Sequence, residues 1–279
     1  MAPISDEMLA DACRRLGVTD PIRRDFNGRT THAIVTTAHG SKAWLKVGGV
    51  VRNTRDACRQ AEIEAEGLSN LRKPGIMAVS EWKKSGISWR GVLMTIAPSD
   101  AAADSPLHAP PSSSVPERWW DELRDALQAV RRIRTSRFIY SPSEIADLIR
   151  TYLPSGFPTH ADAWCVQHGD LHWSNLTLPH LMLLDWEVWG QAPVGYGAGR
   201  LLVVSLLSPD IAAKVEQSFA DEFSTASGRV GVLAAIAVMK RQIEAGGVTR
   251  DLEPCIHVLL DRIRKDEFGG RRMPPARRA

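Results

Sequence analysis

The chain lacks any long apolar run. Its best stretches, near Leu201–Leu207 and Leu233–Met239, reach about seven residues each, against the roughly 18 that a membrane-spanning helix needs. A bilayer-spanning helix is not expected, and no membrane partner is implied. Cysteine is scarce as well. Cys13, Cys58, Cys165 and Cys255 fall without C-x-x-C spacing, which argues against a zinc ribbon or a dense disulfide frame and fits reduced thiols. The first ten residues, MAPISDEMLA, hold two acids, no basic cluster and no apolar segment, so a secretory signal is not expected and the cytoplasm is the expected compartment. A basic face is also missing. The formal charge is +3, but Arg271, Arg272, Arg277 and Arg278 supply four positive charges in the last residues, and without them 31 basic side chains face 32 acidic ones. Nucleic acid is not an expected partner, and residues 269–279 read as a flexible basic tail.

What is present is a globular composition. Of 279 residues, 44% are hydrophobic and 24% charged, enough apolar material for one large domain or two smaller ones. Ser5, Asp6 and Glu7 open a helix whose face is Met8, Leu9, Ala12, Cys13 and Leu16, with Gly17 as its stop. From Phe26 to Val47 two β-branched or apolar runs flank His39-Gly40-Ser41, a hairpin pattern. A helical stretch at about 55–71 carries Glu62, Glu64 and Glu66, and strand-like runs follow near Ile76–Val79 and Val92–Ile96. Residues 101–116, rich in Ala, Ser and Pro, read as a linker. Helical patterns then dominate: 117–134, a capping box at Ser141-Pro142-Ser143-Glu144, a helix opened by Ser208-Pro209 with Ile211, Val215, Phe219 and Phe223 four apart, then 230–244 and 252–268. The expected division is a β-rich lobe over 1–100 and a helical lobe over 117–268.

The richest segment is VQHGDLHWSNLTLPHLMLLDWE, residues 166–187. Asp170 and Asn175 lie five apart in a loop pattern, and Asp185 follows the strand-like run Leu181–Leu184. Phosphoryl transfer needs a carboxylate to orient and deprotonate the accepting hydroxyl, and hard oxygen ligands for Mg²⁺. These three side chains meet that need.

The segments His168-Gly169-Asp170-Leu171-His172-Trp173-Ser174-Asn175 and Leu184-Asp185-Trp186-Glu187 resemble the catalytic loop and metal-binding segment of the aminoglycoside phosphotransferase and choline kinase group of small-molecule kinases. The resemblance implies an α+β, two-lobed protein-kinase-like fold: a small β-rich N-lobe, a larger mainly helical C-lobe, and nucleotide between them. It makes Asp170 the catalytic base, Asn175 and Asp185 the Mg²⁺ ligands, and His168 a loop-structuring residue. Upstream, Lys46 in Ala43-Trp44-Leu45-Lys46-Val47 resembles the strand lysine that meets nucleotide phosphates. Glu64 resembles its helix partner, with Glu62 and Glu66 as alternatives on the same helix. Leu93–Ala97 would be the hinge, with Thr95 and Ala97 meeting the base, and Asn27–Thr31 the loop over the phosphates. Two departures stand out. Gly197 occupies a position where the family often has an acid, and no G-x-G-x-x-G covers the phosphates.

The implied function is transfer of the γ-phosphate of ATP or GTP, with Mg²⁺, to a hydroxyl of a small molecule. An antibiotic of nucleoside or sugar-containing type, with resistance as the role, is the leading expectation. Residues 151–279 hold 14 acidic and 13 basic side chains, which does not favour a polycationic aminoglycoside. The alternatives are a metabolic kinase for choline, a sugar or an amino-acid hydroxyl; a metal-dependent hydrolase built on His168, Asp170, His172 and His180; and a non-catalytic nucleotide-binding module. Trp164, Trp173, Trp186 and Trp189 read either as a flat substrate pocket or as core packing.

Overall fold

The computed structural model describes residues 6–24, 30–50, 61–68 and 71–269. It divides into two compact units between Pro98 and Ser99. Parts of five sequence expectations lie outside the described residues: Ser5 at the first helix, the phosphate-loop segment at 27–29, the helical stretch at 55–60 and 69–70, Cys58, and the basic tail at 270–279.

In the first unit, α1 (Asp6–Leu16) carries Asp6 and Glu7 in its first turn and buries Met8, Leu9, Ala12 and Cys13, residues that share one face at helical spacing. It packs on a five-stranded antiparallel sheet of β1 (Thr19–Arg23), β2 (Thr30–Thr36), β3 (Lys42–Val50), β4 (Ile76–Lys84) and β5 (Ile87–Thr95), in the order β1-β2-β3-β5-β4. Period-2 alternation sends Ala33, Val35, Ala43, Leu45, Val47 and Leu93 into one core with Leu9, Ala12 and Cys13. Lys84 of β4 reaches Glu7 and Asp11 of α1, each at 2.7 Å, and fixes the helix along that edge. The β2–β3 turn falls where His39-Gly40-Ser41 places it: Thr37 N–H donates to Ser41 O at 2.8 Å, and Gly40 takes a φ of +78°. The strand β1 has no apolar alternation to announce it, since four of its five residues are exposed. Between β3 and β4, α2 (described over 61–64) runs directly into a 3₁₀ turn, Ala65–Gly67.

The segment read as a linker belongs to the second unit and is tied down. Ala102 N–H donates to Leu176 O at 2.7 Å, Ala101 bridges Thr177, and Val115 is buried. Its small Ala and Ser side chains let the backbone pair directly with residues 176–178. Two helices follow, α3 (Glu117–Arg131) and α4 (Pro142–Tyr152), the latter opened by the capping box at Ser141 and Glu144. A two-stranded ribbon, β6 (Trp164–His168) and β7 (Trp189–Pro193), precedes α5 (Tyr196–Ser205), α6 (Pro209–Ser218), α7 (Ala220–Phe223), α8 (Ala226–Glu244) and α9 (Leu252–Arg264). The helix expected to run unbroken from Ser208 to Phe223 breaks at Phe219, whose φ of −119° and ψ of 19° are non-helical. The run Leu181–Leu184 makes one bridge, Leu176 to Leu183, rather than a strand. Its alternate leucines are buried to seal a loop, not to line a sheet.

The core of this unit is α8, apolar nearly all round, crossed by α5 at backbone contact. Added side-chain carbons show how close they run. A Cβ on Gly199 would lie 3.0 Å from Val232 Cα, and one on Gly231 would lie 2.3 Å from Val194 O. Only glycine fits there.

Candidate active site

The loop from Gly169 to Val188 leaves β6 and returns as β7, paired from His168 opposite Trp189. Its two feet are pinched together: Gly169 N–H donates to Val188 O at 2.8 Å, and a Cβ on Gly169 would lie 2.6 Å from Val188 Cγ1. This close approach explains the glycine of His168-Gly169-Asp170. His168 is fully buried, with Nε2 at 2.9 Å from Leu184 O and its ring edge-on to Trp186 at 5.1 Å. Facing a carbonyl, Nε2 carries the proton, and burial holds the imidazole well below its usual pKa, in the neutral form. His168 therefore ties the segment that carries Asp185 to the foot of the loop that carries Asp170.

That anchoring has a pH consequence. The unfolded chain takes a proton on His168 near its ordinary value of 6.5, and the folded chain does not. Stability is expected to be fully present above about pH 6.5 and to fall as pH drops below it. His168→Gln keeps a donor for Leu184 O and should flatten the slope of denaturation midpoints between about pH 5 and 6.5; an unchanged slope would remove His168 as its source.

Asp170 is half-exposed, 38% at its side chain. Its Oδ1 accepts from Arg200 Nη2 at 3.0 Å, and Oδ2 lies 3.4 Å from His172 Nε2. Burial pulls its pKa upward, but the hydrogen bond from His172 and the charge of Arg200 outweigh this and hold the carboxyl below the usual carboxylate range. It is an ionised, reachable carboxylate. Asn175 is buried, and its Nδ2 donates to Asp170 O at 2.9 Å while lying 3.1 Å from His172 Nε2. This commits the amide nitrogen to the loop and leaves the amide oxygen as a donor for a hard cation. Asp185 is exposed at a φ of +56°, a left-handed conformation that Asp tolerates better than most residues. It stands between two anchored neighbours: Leu184, whose N–H donates to Asn175 O and whose O meets His168, and Trp186, whose Nε1 donates to Leu183 O. The oxygens of Asn175 and Asp185 are the hard ligands that Mg²⁺ prefers.

The four tryptophans act as supports rather than a pocket wall. Trp173, Trp186 and Trp189 are buried, and Trp173 stacks on Trp119 and donates to Ser205 Oγ. Trp164 is half-buried against Phe138. Among the described residues no three His, Cys, Asp or Glu side chains are grouped to hold a metal ion. His168 is turned onto a backbone carbonyl, and His180 lies exposed at the loop's tip.

In the first unit, Lys46 of β3 is buried, and its Nζ donates to Glu62 Oε1 at 3.2 Å. This corrects the assignment of Glu64. Two residues along a helix turn the side chain by about 200°, so burying Glu62 against Lys46 carries Glu64 to the exposed side. Glu66 serves elsewhere, binding Lys73 at 2.9 Å and accepting from Ile76 N–H at 3.0 Å. Trp44 shares a sheet face with Lys46, and its Nε1 donates to His32 Nδ1 at 3.2 Å; His32 is the cross-strand partner of Lys46. At the expected hinge, Thr95 gives its N–H to Gly75 O and accepts from Gly75 N–H on Oγ1, both at 2.9 Å. Its amide and hydroxyl thus hold the start of β4, and Ala97 lies two residues past the strand, half-buried.

No family model matches the chain, and no curated protein matches its sequence. Solved structures do. The macrolide 2'-phosphotransferase MphH from Brachybacterium faecium aligns with a TM-score of 0.54 at 13% identity, over 89% of this chain and 96% of that one. The aminoglycoside phosphotransferase APH(3'')-Id from Streptomyces rimosus, in complex with ADP and streptomycin, aligns with a TM-score of 0.51 at 14% identity, over 83% and 98%. The GDP and kanamycin complex of APH(2")-IIia aligns with a TM-score of 0.54 at 11% identity, over 94% and 98%. The chain has the fold of the antibiotic phosphotransferases.

Within this phosphotransferase fold, the first unit is the β-rich lobe with its buried lysine–glutamate pair, and the second is the helical lobe with the 169–188 loop. One partner escaped the sequence reading. Arg200 sits in the glycine-rich stretch Gly195–Arg200, and its signal was a lone charge at the head of the apolar run Leu201–Leu207.

Proposed function

We propose that the chain is a small-molecule kinase that moves the γ-phosphate of ATP or GTP to a hydroxyl of its acceptor. The observation that carries this reading is the loop geometry around Asp170: an ionised, half-exposed carboxylate held at both oxygens, with Asn175 bound to its backbone. In the reaction Asp170 orients the acceptor hydroxyl and takes its proton as the oxygen–phosphorus bond forms and the bond to the leaving nucleoside diphosphate breaks. Asn175 and Asp185 would hold Mg²⁺, which neutralises charge on the phosphates. Lys46, paired with Glu62, offers a cation to nucleotide phosphates.

The acceptor we favour is a neutral or weakly charged antibiotic of nucleoside or sugar-containing type, phosphorylated to inactivity. Support comes from the arginine, rather than further acids, that contacts Asp170. A mass-spectrometric screen tests this, with Mg-ATP or Mg-GTP against nucleoside antibiotics, aminoglycosides, macrolides, choline and simple sugars. A phosphorylated antibiotic formed by wild type and not by Asp170→Asn is the expected result. Transfer only to choline or a sugar would replace resistance with a metabolic role.

A further inference from the structure

Gly197 lies where the family resemblance leads one to expect a carboxylate, and the Gln167 side chain fills the space beside it. A Cβ there would stand 2.8 Å from Gln167 Oε1 and 3.3 Å from His168 O, because the start of α5 presses against β6. Gly197 N–H donates to Gln167 Oε1 instead. One turn further along α5, on the same face, comes Arg200. Its side chain is 5% exposed, Nη2 donates to Asp170 Oδ1 at 3.0 Å, and Nη1 meets Gln242 Oε1 of α8 at 3.4 Å. Tyr196, fully buried, and Tyr140 lie around it, ring to ring at 6.4 Å. The guanidinium is therefore held by Gln242 of α8 as well as by the carboxylate.

Resting on the reading of Asp170 as the base, we propose that Arg200 is a positioning residue for that base, reaching it from helix α5 one turn beyond Gly197, which has no side chain to do so. The contact is single and falls on Oδ1. With His172 Nε2 3.4 Å from Oδ2, it fixes the rotation of the carboxylate and directs the remaining lone pair of Oδ2 to the acceptor hydroxyl. A planar, always-charged donor clamped by Gln242 is suited to this, and misplacement of a reacting group by about 1 Å costs on the order of 10²-fold in rate. Because α5 is itself locked on α8 at Gly199 and Gly231, the contact ties the loop to the core of the unit in addition to the loop's own bonds.

The test compares Arg200→Met, which keeps volume and removes the donor, with Arg200→Lys, which restores one charged donor. Asp170 is 38% exposed, so water can take the vacated place at Oδ1 and the neutral variant should fold. Two readouts are used. Hydrogen exchange needs no acceptor: in Arg200→Met, amides of residues 169–176 should exchange at least about tenfold faster, while those of α8 stay as in wild type. With the acceptor found by the screen, kcat should fall about 10- to 100-fold with nucleotide Kd and acceptor KM within about twofold, and Arg200→Lys should recover part of the loss. Wild-type exchange in the loop, or a loosened loop with unchanged kcat, overturns the proposal. Should Arg200→Met not fold, Arg200→Gln carries the same two measurements. Failure of the base assignment is separate: it appears as full activity in Asp170→Asn, whatever the Arg200 variants do.

Discussion

Asp170→Asn is expected to slow phosphoryl transfer by about 10²–10⁴-fold while leaving nucleotide affinity within about twofold of wild type. The substitution keeps an oxygen that can accept from Arg200 Nη2 and keeps the backbone oxygen that accepts from Asn175 Nδ2. Loop geometry is thus retained, and what disappears is the capacity to take a proton. Single-turnover phosphate transfer, followed beside calorimetric titration with nucleotide, separates the two quantities. Turnover within about threefold of wild type would take the base role away from Asp170. An equal loss of nucleotide affinity would place it among the binding groups instead.

The second large effect concerns the buried pair in the first unit. Glu62→Ala removes one partner of an ion pair whose side chains are 9% and 7% exposed, and such removals cost about 3–5 kcal/mol in stability. Glu64→Ala, at an exposed position on the other side of the same helix, is expected to change stability by no more than about 0.5 kcal/mol. Denaturant midpoints for the two variants, read at equal m, give the contrast directly. Lys46→Met leaves Glu62 as the buried charge, so it should cost about as much stability as Glu62→Ala, and it should weaken nucleotide binding most of the three. Equal midpoints for Glu62→Ala and Glu64→Ala would dissolve the pairing seen at 3.2 Å.

Which parts of this architecture were legible depends on how local their cause is. The 168–187 segment could be singled out because its contacts lie within one loop: His168 on Leu184 O and Asn175 on Asp170 O depend only on spacing along the chain. The capping box at Ser141 and the turn at Gly40 are likewise written in adjacent residues. The choice among Glu62, Glu64 and Glu66 was not local. It depends on the phase at which a helix meets β3, and an error of two residues reverses the face. Arg200 was hidden for a similar reason. Its contact with Asp170 follows from how closely α5 approaches β6, and that clearance is set by Gly197 against Gln167, residues 30 apart in the chain. The leucines of 181–184 alternate as a strand would, but alternation reports burial on one side, which a loop sealing itself over Leu176 satisfies equally.

The order of the first unit's sheet has a consequence for how the molecule behaves in a crowded solution. Its outer strands are β1 and β4, and each bears features that discourage a strand from another copy from zipping on. Pro21 removes a donor from the middle of β1. In β4 the register slips between Ile76 and Ala78, beside the exposed Met77 and Val79, and further along the strand Glu81, Lys83 and Lys84 place charge where a docking chain would have to lie. The lobe can therefore carry apolar side chains on its rim without offering a template for fibre growth.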